Sequence, residues 1–128
     1  MVTSRLTERS LRHFETLLRE RRGELESHQA QIAESLSDVR DAREGERDDE
    51  HDPEGPTIAY EWSRVTAIQA DALAQVREID AALDRIARGT YGICTRCGTP
   101  IARARLDARP SAELCIDCAR KLEASGRR

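Results

Sequence analysis

The sequence predicts a mainly α-helical protein, in which a long antiparallel coiled-coil helical hairpin is followed by a small four-cysteine finger domain with a C-terminal helix. Three observations predict this class. The composition is highly charged and poor in aromatic residues, apolar residues recur at heptad intervals over two long segments, and all four cysteines lie in two CxxC pairs near the C-terminus. With 35% charged and 3% aromatic residues, the chain lacks the bulky side chains of a sandwich or doubly wound core, but it suits long helices with narrow apolar stripes.

The first heptad segment predicts a helix from about Ser4 to Arg43, which is roughly 60 Å long at 1.5 Å per residue. Apolar residues recur every seven positions, with two companions three positions later: Leu11, Leu18, Leu25, Ile32 and Val39, then Phe14 and Ala42. Polar residues at three further companion positions weaken this stripe: Arg21, His28 and Ser35. Gly23 lies inside the helix and should cost it about 1 kcal/mol relative to Ala.

The second heptad segment predicts a helix from about Thr57 to Arg88, which is roughly 48 Å long. Its members are again seven positions apart, with companions four positions later: Ile58, Val65, Ala72, Ile79 and Ile86, then Trp62, Val76 and Leu83. Gln69 is the polar exception, and Trp62 is interpreted as a core anchor. Gly89 follows the helix at the position of a left-handed C-cap.

The stretch EGERDDEHDPEGP between the two segments contains two glycines and two prolines, which interrupt helices. It therefore predicts a bend near residues 45–56. The predicted domains are a hairpin over residues 1–88 with an acidic tip at this bend, and a finger with a C-terminal helix over residues 89–128. A folded-back hairpin favours a monomer, whereas a heptad seam leaves a dimeric coiled coil as the alternative.

Charge is distributed unevenly along a chain whose net charge is −3. Residues 41–54 carry eight acidic and two basic side chains, whereas residues 88–128 carry nine basic and four acidic ones. The overall charge argues against a general nucleic-acid binder, although the basic end leaves weak, salt-dependent binding as an alternative. The charged N-terminus has no apolar signal segment, so we expect a cytoplasmic protein without a membrane span. The sequence contains neither a nucleophile beside a base nor a phosphate-binding glycine loop, so it does not predict an enzyme.

The two CxxC pairs predict one structural zinc ion. Cys94 and Cys97 form the first pair, and Cys115 and Cys118 the second. Two intervening residues allow both sulfurs of a pair to reach one metal ion, and Gly98 lets the backbone turn beneath it. Two such pairs supply the closed four-sulfur shell of structural Zn²⁺. A redox dithiol is the alternative, but no strand-and-helix thioredoxin context surrounds either pair.

The finger resembles the zinc-finger region of the DksA/TraR family of bacterial transcription factors. The resemblance rests on the pattern GTYGIC..CG..I...RL.ARP.A..C..C over residues 89–120. Besides the cysteines, the matching positions are Tyr91, Gly92, Gly98, Ile101, Arg105, Leu106, Ala108, Arg109 and Pro110. The preceding coiled-coil hairpin agrees with the family in architecture.

This resemblance implies a regulator that binds RNA polymerase through its secondary channel. The finger would rest at the channel entrance, and the hairpin would point its acidic tip towards the active site, without reading a DNA sequence. The candidate contact residues at the tip are Asp48, Asp49, Glu50, His51, Asp52 and Glu54. The alternative is an adaptor protein, in which a zinc-stapled coiled coil binds a partner other than polymerase.

The tip departs from the D-x-x-D-x-A pattern of well-studied family members. Without gaps, that pattern falls on His51, Glu54 and Pro56; shifted by one residue, it places Asp52 at the first aspartate and Gly55 at the second. Neither register restores the motif, although the acidity remains. The resemblance therefore implies polymerase binding with altered promoter effects.

The resemblance also implies a weak or absent response to the alarmone ppGpp. Arg109 matches one of the family's basic contacts, and Arg120 lies next to another. Glu78 and Ala119 occupy two basic positions, and neither side chain pairs with a phosphate. Arg103, Arg105 and Arg109 form a basic loop that meets either phosphate or an acidic polymerase surface. Alternatively, Arg105 and Arg109 pair with acidic residues within the fold, such as Asp107 or Glu113.

Overall fold

The structure is a computed structural model that describes residues 6–46 and 55–126. These residues form four helices: α1 (Glu8–Glu46), α2 (Gly55–Arg88), α3 (Arg103–Ala108) and α4 (Ile116–Gly126). The predicted class is confirmed, because a long helical hairpin precedes a small four-cysteine region with a C-terminal helix. Within the described ranges, no helix combines the length and the apolar character that crossing a bilayer requires.

The start of α1 differs from the prediction because of a local cap. The helix begins at Glu8 rather than near Ser4. The Thr7 side chain accepts a hydrogen bond from the backbone N–H of Ser10 at 3.1 Å, which satisfies one of the free N–H groups in the first turn. A hydroxyl in this N-cap position marks the start of the helix.

The end of α2 agrees with the prediction. The helix ends at Arg88, and Gly89 has a φ of +78°, a backbone conformation that costs glycine little. The backbone N–H groups of Thr90 and Tyr91 both donate to the carbonyl of Arg85, at 2.9 and 3.2 Å. Together with the N–H of Gly89, which donates to the carbonyl of Ile86 at 3.2 Å, these bonds satisfy two carbonyls of the last turn.

The described chain divides into two compact units. One contains Gly23–Val76, and the other contains the residues up to Arg22 together with those from Arg77 onwards. The second unit thus joins the finger to the start of α1 and the end of α2. This division differs from the predicted boundary between residues 88 and 89, which stays a prediction.

The unit Gly23–Val76 has a narrow core taken from both heptad stripes. Its buried side chains alternate with solvated ones along each helix: Leu25, Ile32, Val65 and Ala72. Two polar companion residues, His28 and Ser35, are exposed, while Gln69 and Trp62 are half-buried. The predicted seam is therefore present at these four positions, and Trp62 contributes to it with part of its surface only. The predicted companion Ala42 is exposed, and the side chain of Val39 lies outside the described ones.

The second unit joins the two helices to the finger through a mixed apolar core. Its buried residues come from α1, α2 and the finger: Phe14, Leu18, Ile79, Ala82, Tyr91, Ile93, Ile101, Leu106 and Ala112, together with two of the cysteines, Cys94 and Cys118. The rings of Phe14 and Tyr91 lie 5.6 Å apart between centroids, which is within the favourable range for aromatic pairs. Arg22 of α1 also binds Asp80 of α2, with Nε 2.7 Å from Oδ1.

Tyr91 anchors the finger through its hydroxyl as well as its ring. The hydroxyl donates to the carbonyl of Pro110 at 2.7 Å. Burial raises the pKa of Tyr91, so the hydroxyl stays protonated and available as a donor. Arg103 covers the other aromatic ring, with its guanidinium carbon 4.8 Å from the Phe14 centroid, and donates to the Ser10 hydroxyl at 2.9 Å.

We expect Leu25→Ala to lower the free energy of unfolding by about 2–5 kcal/mol, because it removes a buried side chain and leaves a cavity. The matched control is Leu73→Ala, which should cost about 0.5 kcal/mol or less by this mechanism, since Leu73 is 42% exposed and Leu25 only 3%. Urea denaturation followed by circular dichroism measures both. Equal losses for the two variants would contradict the assignment of the buried seam.

Candidate metal centre

The structure brings the four predicted ligands together at one point. The sulfur atoms of Cys94, Cys97, Cys115 and Cys118 all lie within 4.8 Å of one another, and those of Cys97 and Cys115 are 3.7 Å apart. Four sulfurs at about 2.3 Å from a tetrahedral zinc ion would be separated by about 3.8 Å. The cluster therefore fits a single Zn²⁺, and all four cysteines are free of disulfide bonds.

The first pair is held by a tight backbone turn. Ile93 and Pro100 form an isolated antiparallel bridge, and between them the N–H of Cys94 donates to the carbonyl of Thr99 at 2.8 Å. The N–H of Gly98 donates back to the carbonyl of Cys94 at 2.9 Å. Gly98 has a φ of +75°, which confirms its predicted role in the turn, since residues other than glycine rarely adopt this backbone conformation.

The second pair lies at the start of α4. The predicted C-terminal helix begins at Ile116, so only Cys118 of this pair lies inside it. Cys115 occupies the N-cap position, where its sulfur accepts from the N–H of Cys118 at 3.5 Å. A helix N-terminus favours negative charge, so this placement suits a thiolate.

Two hydrogen bonds to backbone carbonyls close the loop between the pairs. The N–H of Thr95 donates to the carbonyl of Glu113 at 2.9 Å, and Arg105 Nε donates to the carbonyl of Leu114 at 2.8 Å. Arg105 lies in α3, a one-and-a-half-turn helix that the sequence did not predict, and the same helix buries Leu106 completely. The loop thus returns to the first pair in a defined conformation.

Comparisons with known proteins agree with this geometry. Residues 89–124 match the prokaryotic dksA/traR C4-type zinc finger. The solved structure of the transcription factor DksA2 from Pseudomonas aeruginosa is similar over 94% of this chain and 88% of that one, with a TM-score of 0.77 and 27% sequence identity. Residues 89–124 thus form a zinc finger of the DksA/TraR type, and the described fold resembles that of DksA2.

The similarity to curated sequences is concentrated in the finger. An uncharacterised Aquifex aeolicus protein is 51% identical over 51 residues, which cover 40% of this chain and 35% of that one. The RNA polymerase-binding transcription factor DksA of Haemophilus influenzae is 44% identical over 43 residues, covering 34% and 30%. Its Escherichia coli K12 counterpart is 42% identical over 43 residues, covering 34% and 28%. The aligned region thus spans about a third of the length of these relatives.

A C4-type zinc finger with four converging sulfurs is one structural zinc site, as the sequence predicted. The four sulfurs of this DksA/TraR finger differ in exposure: Cys94 and Cys118 are buried, Cys115 is half-buried and Cys97 is exposed. With every position of a tetrahedron filled by sulfur, no site remains open for a reacting water. A bound ion would supply folding energy to this region of some 40 residues, which is too small to fold on apolar burial alone.

The environment of the sulfurs favours binding of a divalent cation. Burial opposes ionisation of Cys94, but backbone N–H groups of Cys97, Cys115 and Arg96 outweigh it and lower its pKa to about 6. Burial and the neighbouring sulfurs raise the pKa of Cys118 to about 12. The Cys94 sulfur thus ionises readily, whereas the Cys118 sulfur releases its proton only against burial and the influence of the neighbouring sulfurs. A dication would offset this cost, which couples metal binding to proton release.

The basic residues near the finger have partners that the sequence did not predict. Arg109 binds Glu78 of α2, with NH2 3.1 Å from Oε2, rather than Asp107 or Glu113. Asp107 is bound by Arg103 at 3.5 Å, and Arg105 bonds a backbone carbonyl. Helix packing decides the Arg109–Glu78 pairing, because Glu78 lies 31 residues before Arg109 in the chain, whereas Arg103 and Asp107 are four residues apart on α3. Arg120, the other candidate contact, is exposed on α4.

A groove of about 450 Å³ lies between α2 and α4, beside the Arg109–Glu78 pair. Arg85 lines it and donates to the carbonyls of Ser111 and Ala112 at 3.4 and 3.5 Å. Its Nε is buried and has no hydrogen-bond partner among the described residues. Desolvation lowers the pKa of Arg85, opposed mainly by the charge of Glu113. No motif in the sequence pointed to this half-buried arginine.

The predicted tip residues, from Asp48 to Asp52 together with Glu54, lie outside the described residues. Their role therefore stays a prediction.

We expect the purified chain to bind one zinc ion, and chelation to abolish protection of amide hydrogens in residues 91–118 from exchange with solvent. The reason is that the metal joins the two cysteine pairs in a region too small to fold without it. Metal analysis and hydrogen exchange followed by mass spectrometry measure the two effects. The amides of residues 25–42 serve as the internal reference, and unchanged protection of the finger after complete zinc removal would contradict a structural role for the metal.

Proposed function

We propose that this chain is a transcription regulator that binds RNA polymerase through the secondary channel, with its coiled-coil tip pointing towards the active site. The observation that carries the proposal is the extent of the similarity to DksA2, which reaches from α1 to α4 at a TM-score of 0.77. The finger adds 42–44% identity to proteins described as RNA polymerase-binding transcription factors. The chain acts in this role by binding, in the cytoplasm and as a monomer, rather than by catalysis.

The proposed roles of the finger and of the helix pair follow from their structures. The finger, whose zinc ion is held by Cys94, Cys97, Cys115 and Cys118, forms the part that rests at the channel entrance. Helix α1 contains 39 residues and α2 contains 34, so each is about 50–60 Å long at 1.5 Å per residue. A pair of helices is narrow enough to enter a channel, and the acidic residues 41–54 suit a centre that contains basic side chains and Mg²⁺.

Arg109 and Arg120 are the proposed contacts at the entrance. Both are exposed, but Arg109 already binds Glu78. An anionic nucleotide such as ppGpp would have to compete with this carboxylate for the same guanidinium. This competition supports a weak or absent response to ppGpp.

We expect a photo-crosslinking amino acid at His51 to react with the largest polymerase subunit near the catalytic centre, because the proposal places this residue at the inserted tip. The same amino acid at Arg120 should react with polymerase only at the channel entrance. Mass spectrometry of the crosslinked peptides, using polymerase from the source organism, locates both sites.

The pattern of crosslinks separates the proposal from its alternative. Reaction at Arg120 without reaction at His51 would show that the chain binds polymerase but does not reach inside. Absence of both crosslinks, together with absence of binding, would favour the adaptor protein, whose zinc-stapled coiled coil has another partner.

We expect ppGpp to add little to the effect of this chain on transcription, and Glu78→Gln to increase the added effect. The substitution frees the Arg109 guanidinium for an anionic ligand, although the gain should be modest, because exposed ion pairs contribute about 0–1 kcal/mol. Promoter-specific transcription with and without ppGpp measures both proteins, after subtraction of the effect on polymerase alone. Full synergy between ppGpp and the unmodified chain would overturn this prediction. It would not contradict the proposal that the chain binds polymerase.

A further inference from the structure

A threonine hydroxyl contacts the most exposed sulfur of the metal cluster. Thr99 Oγ1 lies 2.9 Å from Cys97 Sγ, and Thr99 itself is exposed. A sulfur that ligates zinc is deprotonated and has only lone pairs to offer. The hydroxyl must therefore be the donor when the metal is bound, which makes this a charge-assisted hydrogen bond to a ligand atom.

The backbone holds this hydroxyl in position. The carbonyl of Thr99 accepts from the N–H of Cys94 at 2.8 Å, and the next residue, Pro100, pairs with Ile93. Gly98, at a φ of +75°, turns the chain between Cys97 and Thr99. The contact thus belongs to the same turn that presents the first cysteine pair, unlike a chance contact of a free surface side chain.

Cys97 is the ligand for which such a bond matters most. Cys94 and Cys118 are buried and Cys115 is half-buried, whereas Cys97 is exposed. Water, protons and competing chelators therefore reach the cluster first at this sulfur. Hydrogen bonds to metal ligands from outside the coordination shell orient those ligands, and their loss typically weakens metal binding by about 10–100-fold.

We propose that Thr99 is a positioning residue of the zinc site, whose hydroxyl orients the Cys97 thiolate and shields it from displacement. Thr99 raises the affinity for zinc and slows loss of the ion at the exposed side of the cluster. This role concerns the metal alone and holds whether or not the chain binds polymerase.

The test compares variants of the full chain that differ in one hydroxyl. Thr99→Val and Thr99→Ala remove the donor, whereas Thr99→Ser keeps it. The matched control is Thr95→Val, because Thr95 lies in the same turn, is exposed, and makes no side-chain hydrogen bond with the described residues. Competition with a chromophoric zinc chelator gives the affinity, and circular dichroism of the zinc-loaded proteins checks that each variant is folded.

We expect Thr99→Val and Thr99→Ala to bind zinc about 10-fold more weakly, with Thr99→Ser and Thr95→Val within about threefold of the unmodified chain. In the Co²⁺-loaded protein, loss of the donor should also move the sulfur-to-cobalt charge-transfer band to lower energy, because the thiolate becomes a stronger electron donor. A variant that binds zinc weakly only because it is misfolded would show this by circular dichroism. A shifted band in a folded variant therefore reports on the thiolate itself.

Two results would overturn the proposal. Equal zinc affinity and an unshifted cobalt band in Thr99→Val would show that the hydroxyl does not act on the ligand. Equal weakening in Thr99→Ser or in Thr95→Val would show that any change in this turn has the same effect. Polymerase binding enters neither measurement, so failure here leaves the proposed function untouched.

Discussion

Convergence of four sulfurs on one point is the constraint on which the finger depends. Burial and the neighbouring sulfurs oppose ionisation of Cys118, and a divalent cation offsets this cost when it binds the sulfurs. The loop between the two pairs contains α3, which buries Leu106, and Pro110, whose carbonyl accepts from the Tyr91 hydroxyl. Each of these contacts is too weak by itself to order a region of this size.

The finger in turn organises the beginning of α1 and the end of α2. Phe14 packs against Tyr91 on one side and beneath Arg103 on the other, so aromatic packing and a cation–π contact join the first helix to the finger. Further along, a narrow stripe of buried aliphatic residues joins the described parts of the two helices. Such a stripe stabilises the pairing of long helices of this composition, because it buries apolar surface while the charged faces remain in water.

Local patterns predicted the elements that depend on neighbours in sequence. The heptads predicted α1 and α2, Gly89 predicted the end of α2, and Gly98 predicted the turn after the first cysteine pair. The start of α1 was missed because Thr7 was not recognised as its cap, and α3 was missed because six residues carry too little periodicity. The order Cys-Gly-Thr was a usable signal for Thr99, since a hydroxyl two residues after a ligand can contact the sulfur of that ligand. The contact itself was found only from the geometry.

The sequence by itself determined that this protein is a helical hairpin with a four-cysteine zinc finger of the DksA/TraR type. Heptad spacing and CxxC spacing are local codes, since each reflects the period of a helix or the reach of two side chains around one ion. Only the tertiary structure decided that Arg109 binds Glu78, that Arg85 is half-buried beside a groove, and that Cys97 is the exposed ligand. The Arg109–Glu78 pair and the contacts of Arg85 join residues far apart in the chain. Packing of α2 against the finger sets their distances, on which electrostatic and hydrogen-bond energies depend.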